Sequence, residues 1–287
     1  MILTLKDPSG AVEKRFSCRS YRPESLTGAD RKSLLNSLTA LNHHPSPLPV
    51  KAKSVPSIQL YPPDSQNPDL SALRFFKNAS SFLYAPVPHE TGIEITYGYQ
   101  MEMAVLRATE IGIASCWLGY FNSARLSFLV PPGRFIPSLV VLGYPRQHKT
   151  VREQVIRRVI RAEDRHGWDR LFFTGDFSSP LPFDPDHPLK TPLSFVRKSP
   201  SSGNTQPWRL LISRDLGEVH FYKKAANRAY ELKKLHHIDL GIALCHFHLG
   251  TLFAGLQGRW IRSLTRGSAP PSNLEYIMTW QKISRMV

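Results

Sequence analysis

Apolar residues recur at helical spacing in several stretches of this chain of 287 residues. Met101, Ala104, Val105, Ala108 and Ile111 follow the i, i+3, i+4, i+7 pattern that is typical of one buried helix face. Similar spacing predicts helices over 34–41, 193–196 and 240–254. Short runs of β-branched, aromatic and leucine residues predict strands at 58–61, 139–143, 210–212 and 219–222. The pattern therefore predicts a mixture of helices and short strands.

The predicted elements occur in a similar order in the two halves of the chain. Gly112 and Trp117 are matched by Gly255 and Trp260, which lie 143 positions further on. At the same offset Gly98 is matched by Gly241. An internal repeat of this kind predicts a decayed duplication, with one half at 1–150 and the other at 151–287. We expect the halves to share one core, because each would be marginally stable alone.

Composition favours a globular protein, since 41% of the residues are apolar and 21% are charged. No apolar run approaches the 18 residues of a membrane span, so we expect no membrane association. Charged residues and a proline follow within the first eight positions, which is unlike a signal peptide. Cys18, Cys116 and Cys245 form no CxxC pair, which favours reduced thiols. These features predict a cytoplasmic protein.

The formal net charge is +15, which raises the question of a nucleic-acid partner. The strongest basic run, at 152–165, also carries Val155, Ile156, Val159 and Ile160 at helical spacing. This run is typical of an amphipathic helix with a solvated basic face. No zinc-finger, RNP or basic-zipper pattern accompanies it. We therefore predict no nucleic-acid partner and expect the surplus charge to attract phosphate-bearing cofactors.

The segment 199–209, SPSSGNTQPWR, combines chain-turning residues with exposed polar groups. Pro200 is expected to end a helix, and Gly203 permits an unusual backbone conformation. Asn204 and Gln206 each offer a planar amide with donor and acceptor, which suits the edge of a heteroaromatic ring such as the flavin pyrimidine. A polar capping loop without a ligand is the alternative, because such loops are common.

This segment resembles the PSxxNxQPW signature of the nitroreductase superfamily. Residues 15–21, RFSCRSY, resemble the opening RRSxRxF motif of that superfamily, with Phe16 in place of the second arginine. Residues 114–121, ASCWLGYF, resemble its GxxSCWIGGF segment, with Tyr120 where a second glycine is usual. Residues 142–145 resemble the LGYP strand end, and 164–172 resemble the KRKPxxEL element, with Gly167 in place of proline. The matches extend from about residue 15 to residue 260.

The resemblance implies an α+β nitroreductase-like fold, with two pseudo-equivalent halves and mixed or antiparallel sheets flanked by helices. It implies FMN as cofactor and NADH or NADPH as electron donor, with a small nitro or quinone-type molecule as electron acceptor. In the superfamily, phosphate-binding residues come from one subunit and the PSxxNxQPW loop comes from its partner. Here the two sets lie in one chain. We therefore expect a monomer that mimics a homodimer and holds one FMN at the junction of its halves.

The residues carried over by the resemblance all have binding roles, because the flavin itself performs the chemistry. Arg15, Arg19 and Arg165 would hold the phosphate with a hydroxyl from Ser17. The turn at Gly119 and Tyr120 would direct a backbone N–H towards the reactive ring edge. The loop would contribute Pro200, Ser201, Ser202, Asn204 and Gln206. No residue is predicted to act as a general acid or base.

Two other functions stay open at this point. The departures at Phe16, Tyr120 and Gly167 are compatible with a protein that binds flavin but turns over little. The basic charge is compatible with a nucleic-acid-associated protein on an inherited fold. Reduction of bound flavin by NADPH separates the first alternative from the enzyme, and salt-dependent filter binding tests the second.

Other candidate sites have simpler interpretations. The segments HHID at 236–239 and CHFH at 245–248 are rich in metal-ligand types, yet His246 and His248 point about 200° apart on a helix. Asp239 is expected to cap the start of that helix. Cys18 has no identifiable base as partner, and Trp117, Trp208 and Trp260 are expected to pack in the core.

Overall fold

The computed structural model describes residues 5–62, 73, 76–146, 154, 155, 158, 159, 161, 163–225, 227–262 and 270–283. Most of the predicted basic helix at 152–165 and the proposed division near residue 150 lie outside these residues. Two valines of that predicted helix are described, and both Val155 and Val159 are exposed, which is not the burial that an apolar helix face predicts.

The chain forms seven α-helices in its described part, joined by strands and short 3-10 segments. The helices are α1 (Pro8–Lys14), α2 (Gly28–His43), α3 (Ile93–Glu110), α4 (Trp168–Leu171), α5 (Lys190–Lys198), α6 (Arg228–Leu232) and α7 (Leu235–Phe253). The strands of the first half are β1 (Gln59–Tyr61), β2 (Ser81–Tyr84), β3 (Val87–Pro88), β4 (Ala114–Leu118), β5 (Arg134–Phe135) and β6 (Leu139–Gly143). Those of the second half are β7 (Phe172–Thr174), β8 (Trp208–Ile212), β9 (Glu218–Lys224), β10 (Gly258–Ile261) and β11 (Leu274–Lys282).

Each half contributes one main sheet, and the two sheets follow the same plan. The first has the order β1-β2-β6-β4 and is antiparallel throughout. The second has the order β10-β11-β9-β8-β7, in which β8, β9, β11 and β10 repeat that plan. The additional edge strand β7 pairs with β8 in parallel. The predicted α+β fold with mixed and antiparallel sheets is therefore confirmed.

The long helices α3 and α7 cross at the centre of the molecule, and two glycines allow their close approach. A Cβ atom on Gly98 would lie 2.2 Å from the carbonyl oxygen of Ile238, and one on Gly241 would lie 2.1 Å from that of Ile95. The contact is reciprocal, since Ile95 and Ile238 are again 143 positions apart. The largest buried apolar cluster includes residues of both helices and both sheets. The division into two halves itself stays a prediction.

Not every residue in the predicted apolar patterns is buried. Leu34, Leu38 and Leu41 of α2 are in the core, but Leu35 is exposed because it lies at the edge of that helix face. Cys18, Cys116 and Cys245 are all described, all buried, and form no disulfide. Among the described residues, none of the helices has both the length and the apolar character that crossing a bilayer requires.

Candidate functional site

A cavity of about 340 Å³ opens between the two halves, beside the crossing of α3 and α7. Its walls combine the N-terminal segment, the end of β4, the loop after α5 and the first turns of α7. Ten of the eleven residues selected from the sequence line it, namely Arg15, Ser17, Arg19, Gly119, Tyr120, Arg165, Pro200, Ser201, Ser202 and Asn204. The N-terminal segment and the loop after α5, which are far apart in sequence, therefore meet at one cavity.

The N-terminal segment reaches this cavity because it docks along strand β4. Ser17 forms a parallel bridge with Ser115, and the backbone N–H of Cys18 donates to the Ser115 carbonyl at 2.9 Å. The Tyr21 hydroxyl, which is fully buried, donates to the Cys18 carbonyl at 2.8 Å. These bonds fix the backbone between Arg15 and Arg19, so both guanidinium groups start from a rigid base.

Arg15 rests on a buried acidic residue that the sequence analysis missed. The carboxylate of Glu102, on α3, lies 4.0 Å from Nε of Arg15, and both side chains are nearly inaccessible. The same carboxylate accepts from Nε1 of Trp117 at 2.8 Å and pairs with Nε2 of His246, on α7, at 2.9 Å. The sequence did contain a signal for this residue, because Glu102 is an acidic residue inside the apolar pattern of α3. Glu102 links both helices to two residues of the cavity wall, Arg15 and Trp117.

The loop after α5 has a backbone that few sequences could adopt. Gly203, Asn204 and Gln206 all have positive φ angles, of 56°, 57° and 49°. A side chain on Gly203 would also collide with the Tyr230 hydroxyl, 2.7 Å from its Cβ position. The loop is closed by Ser201, whose hydroxyl accepts from the backbone N–H of Gln206 at 2.9 Å. Left-handed non-glycine residues cost about 1–3 kcal/mol each and concentrate at binding and catalytic sites.

Asn204 and Gln206 use their amides within the protein. The Asn204 side chain accepts from Nη1 of Arg165 at 3.1 Å and donates to the Asp164 carbonyl at 2.9 Å. It therefore holds Arg165 at the cavity edge instead of presenting a free amide. Gln206 is buried, accepts from the backbone N–H of His166 at 2.9 Å, and lies outside the cavity wall. Its amide braces the loop from behind.

The turn at Gly119 and Tyr120 contacts the second half directly. A Cβ on Gly119 would lie 2.9 Å from a methyl group of Leu235, so a side chain there would require the Leu235 side chain to shift. The Tyr120 hydroxyl donates to the Ala229 carbonyl at 3.0 Å, and its ring lies 5.9 Å from that of Tyr230. The residue that departs from the superfamily motif thus forms an aromatic pair across the cavity mouth.

Asp239 does not cap a helix, contrary to the sequence-based prediction. Helix α7 begins at Leu235, so Asp239 lies one turn inside it, and its side chain is buried in the cavity wall. One oxygen accepts from the backbone N–H of Ser202 at 2.9 Å and from its hydroxyl at 3.1 Å. Burial raises the pKa of the Asp239 carboxyl to about 8, although the bonds from Ser202 act in the opposite direction.

Three other residues differ from their expected roles or add to the site. Trp117 was expected in the core, yet it also lines the cavity, whereas Trp208 is fully buried. Phe16 lines the cavity and packs against a second apolar cluster. Gly167 precedes α4 at its N-cap position. Within the described part of the chain, no group of three or more His, Cys, Asp or Glu residues is arranged to hold a metal ion.

The charge distribution around the cavity favours an anion. Three arginines, Arg15, Arg19 and Arg165, line it, together with the acidic residues Glu163 and Asp239. A carboxyl group with a pKa near 8 is mostly uncharged at neutral pH, which leaves a positive excess. Leu235, Ile238 and Ile242 supply an apolar wall on the α7 side. The cavity can therefore bind a molecule with an anionic group and a flat apolar body.

Comparison with known proteins agrees with this geometry. Residues 9–251 match the family described as "Putative TM nitroreductase". The chain belongs to this family. Among solved structures, a protein described as a putative nitroreductase from Thermotoga maritima is similar over nearly the whole length, with 19% identity and a TM-score of 0.56. The similarity covers 95% of this chain and 91% of that one. The nitroreductase-like fold is thereby established.

Smaller members of the fold match only about half of the chain. A nitroreductase with bound FMN from Bacteroides fragilis shows 19% identity and a TM-score of 0.37, covering 51% of this chain and 95% of its own. A nitroreductase with bound FMN from Desulfitobacterium hafniense shows 15% identity and a TM-score of 0.38, covering 51% and 93%. No curated protein matches the chain in sequence.

Proposed function

We propose that this protein is an FMN-dependent oxidoreductase that takes electrons from NADH or NADPH and reduces nitro or quinone-type acceptors. The observation that carries the proposal is the meeting of residues 15–19 and 200–204 at one cavity. Family membership supports the flavin, and two of the related solved nitroreductases are described with bound FMN. One cavity that needs elements from both halves supports one FMN per chain.

The residues present fit the phosphate of FMN. Arg15, Arg19 and Arg165 line the cavity, and Ser17 adds a hydroxyl on the same segment as the first two. Guanidinium groups bind phosphate bidentately, and charge-assisted hydrogen bonds of this kind are about twice as strong as neutral ones. Arg165 is oriented by Asn204, and Arg15 lies against Glu102. The proposed role of Asn204 is therefore to position Arg165 as well as to line the site.

The residues present also fit the isoalloxazine ring. Ile238 and Ile242 form an apolar wall, Trp117 contributes an aromatic surface, and Asp239 offers a polar atom. Bound FMN would supply hydride acceptance and hydride donation, which no side chain of the protein can provide. The chain itself would bind and orient the cofactor, and Tyr120 with Tyr230 would limit water at the mouth of the cavity. No side chain of the cavity needs to transfer a proton in this scheme.

Turnover is tested by anaerobic stopped-flow mixing of the FMN-loaded protein with NADPH and, separately, NADH. We expect the absorbance of bound flavin near 450 nm to bleach much faster than that of free FMN under the same conditions. Reoxidation by a quinone in a second mixing step should restore it. Bleaching no faster than for free FMN contradicts the oxidoreductase and leaves a flavin-binding protein.

The phosphate assignment is tested by replacing Arg19 with alanine. Losing one charge-assisted phosphate contact of about 1.5–3 kcal/mol should weaken FMN roughly tenfold to a hundredfold. Riboflavin, which lacks the phosphate, should bind almost unchanged. The matched control is Arg214→Ala, which removes the same charge from an exposed side chain that does not line the cavity. Equal losses for FMN and riboflavin contradict the assignment.

A further inference from the structure

A second concave surface adjoins the cavity and shares Arg165, Gly203 and Asn204 with it. This surface, which we call the basic groove, has a volume of about 520 Å³. Its charged or titratable lining residues are Arg161, Asp164, Arg165, His166 and Arg170. Arg15 and Arg19 line the cavity but not the groove, so the groove extends beyond the site proposed for the phosphate of FMN.

Two loops form the basic groove, and hydrogen bonds hold them together. The Asn204 amide donates to the carbonyl of Arg161 at 2.5 Å and to that of Asp164 at 2.9 Å. The Gln206 amide accepts from the backbone N–H of His166 at 2.9 Å. Arg161 has a φ angle of 47°, so left-handed residues occur in both loops, and such conformations concentrate at binding and catalytic sites. These bonds give the groove a fixed shape without a ligand.

The arginines at the groove are not neutralised by acidic side chains. Arg161 and Arg170 form no ion pair with any residue that the structure describes. Next to them Arg209 is only 9% exposed and donates to the main-chain carbonyls of Gln206 and Trp208, at 3.1 and 2.5 Å. Burial lowers the pKa of Arg209 to about 10, and the positive charge of Arg170 contributes. Because guanidinium groups without a carboxylate repel each other, a bound anion would stabilise them.

His166 experiences the same positive charge. Burial lowers the pKa of its imidazole, and Arg170 and Arg209 lower it further. Among the lining residues, the three arginines are opposed by the single carboxylate of Asp164, which leaves an excess of two positive charges. A phosphate monoester carries about two negative charges at pH 7, whereas a phosphate diester carries about one. The groove therefore matches a terminal phosphate group in charge.

We propose that the basic groove binds the 2′-phosphate of the nicotinamide electron donor, the group that NADPH carries and NADH lacks. The inference rests on the proposed function, because it takes a nicotinamide dinucleotide as the electron donor. Arginine accommodates this phosphate in other dinucleotide-binding proteins. Arg161 and Arg170 would bind it here, and Arg165 lies where the groove and the flavin cavity meet. The groove thus makes NADPH the preferred donor.

The test measures binding of NADP⁺ and NAD⁺ to the FMN-loaded protein, because the oxidised dinucleotides bind without reducing the flavin. Isothermal titration calorimetry is carried out on the wild type, Arg161→Ala, Arg170→Ala and Arg214→Ala. Arg214 is exposed and lines neither the groove nor the cavity, so its variant controls for the loss of one positive charge. Circular dichroism shows whether each variant is folded. Inorganic phosphate is titrated in parallel to separate the phosphate of the donor from free phosphate.

The wild type and Arg214→Ala should bind NADP⁺ roughly tenfold more tightly than NAD⁺, because charge-assisted hydrogen bonds to the phosphate are strong. Arg161→Ala and Arg170→Ala should each weaken NADP⁺ about tenfold and leave NAD⁺ within about twofold. Equal affinities of the wild type for the two dinucleotides overturn the proposal, as do equal losses for both in the variants. Binding of inorganic phosphate without a preference for NADP⁺ would assign the groove to free phosphate instead.

Failure of this inference can be told apart from failure of the proposed function. A wild-type protein that does not bind FMN shows that the flavin assignment is wrong. A protein that binds FMN and is reduced equally fast by NADPH and NADH shows that only the phosphate site is wrong. FMN affinity is measured for Arg170→Ala as well and should not change. A loss of FMN affinity as large as that of Arg19→Ala would make the groove part of the flavin site and overturn the proposal.

Discussion

Helices α3 and α7 occupy matching places in the two halves, yet only one of them faces the cavity with a polar group. Their packing positions agree, since Gly98 and Gly241 make the same close approach to the opposite helix. The side chains that the two helices carry at other matching positions differ in polarity. At the offset of 143 residues, Asp239 of α7 corresponds to Thr96 of α3. The close approach at the crossing leaves room only for glycine at these two positions, whereas the residues facing away from the crossing differ between the helices.

The two helices also differ at the position of α7 that lines the cavity. Ile242 of α7 lines the cavity, but its counterpart at the same offset is Tyr99, which is buried. The Tyr99 hydroxyl lies 2.6 Å from Nδ1 of His248, whose ring is 6.3 Å from that of Trp260. Trp260 is in turn the counterpart of the cavity residue Trp117. The cavity residue Ile242 is thus matched in α3 by a larger, buried side chain, that of Tyr99.

The largest effect is expected from Glu102→Ala. Glu102 is the position of α3 that differs most in chemistry from its counterpart in α7, Cys245. The variant should lower the free energy of unfolding by about 3–5 kcal/mol, because His246 and Trp117 lose a fully buried partner. At the matching position of α7, Cys245→Ala should cost only about 1 kcal/mol. Urea unfolding of both variants measures the difference. Similar losses for the two would show that Glu102 contributes only packing.

Close approach at the crossing is tested by Gly98→Ala and Gly241→Ala. Each added methyl meets backbone atoms of the opposite helix, which cannot move aside as a flexible side chain can. We expect each variant to lose about 3 kcal/mol in thermal or urea unfolding. Gly28→Ala in α2 is the control, since its Cβ would have no neighbour within 4 Å. A loss for only one of the two crossing glycines would contradict the reciprocal contact.

In the ligand-free protein, Asp239→Asn should be increasingly more stable than the wild type as the pH rises, because the wild type loses stability. The pKa of Asp239 is about 8 in the fold and about 4 in the unfolded chain, so folding favours its protonated form. That contribution to stability is complete below pH 4 and is lost progressively up to pH 8. From pH 5 to pH 7 the wild type should lose roughly 2–3 kcal/mol relative to the asparagine variant. Parallel pH profiles for the two proteins in urea unfolding would be the contrary result.

The smallest effect is expected from Tyr99→Phe, which sharpens the comparison of the aromatic residues. Removing the hydroxyl leaves Nδ1 of the buried His248 without its bond from Tyr99, which should cost about 1 kcal/mol. Flavin affinity should not change, since Tyr99 does not line the cavity. Thermal melting and flavin titration together check both statements. A loss of flavin affinity would mean that the two halves are coupled through α3.

The fold class could be predicted from the sequence because the signals for it are local: helical periodicity, short apolar strands, and glycines before Trp117 and Trp260. Family motifs located cavity residues in two distant parts of the sequence, at 15–19 and 200–204. The roles of Glu102 and Asp239 were missed because burial of an acidic group depends on which helix packs against it. The position of Gln206 outside the cavity wall was not predictable for a related reason, since the positive φ angles of the loop determine which side its amide faces.

The most direct test of the central claim, one flavin site built from both halves, is equilibrium dialysis of the purified protein against FMN. Bound FMN should saturate at one molecule per chain. In addition, Ile242→Trp, which places a larger side chain in the cavity wall, should abolish that binding while the protein stays folded. Saturation near two molecules per chain, or undiminished binding by the tryptophan variant, would contradict the account.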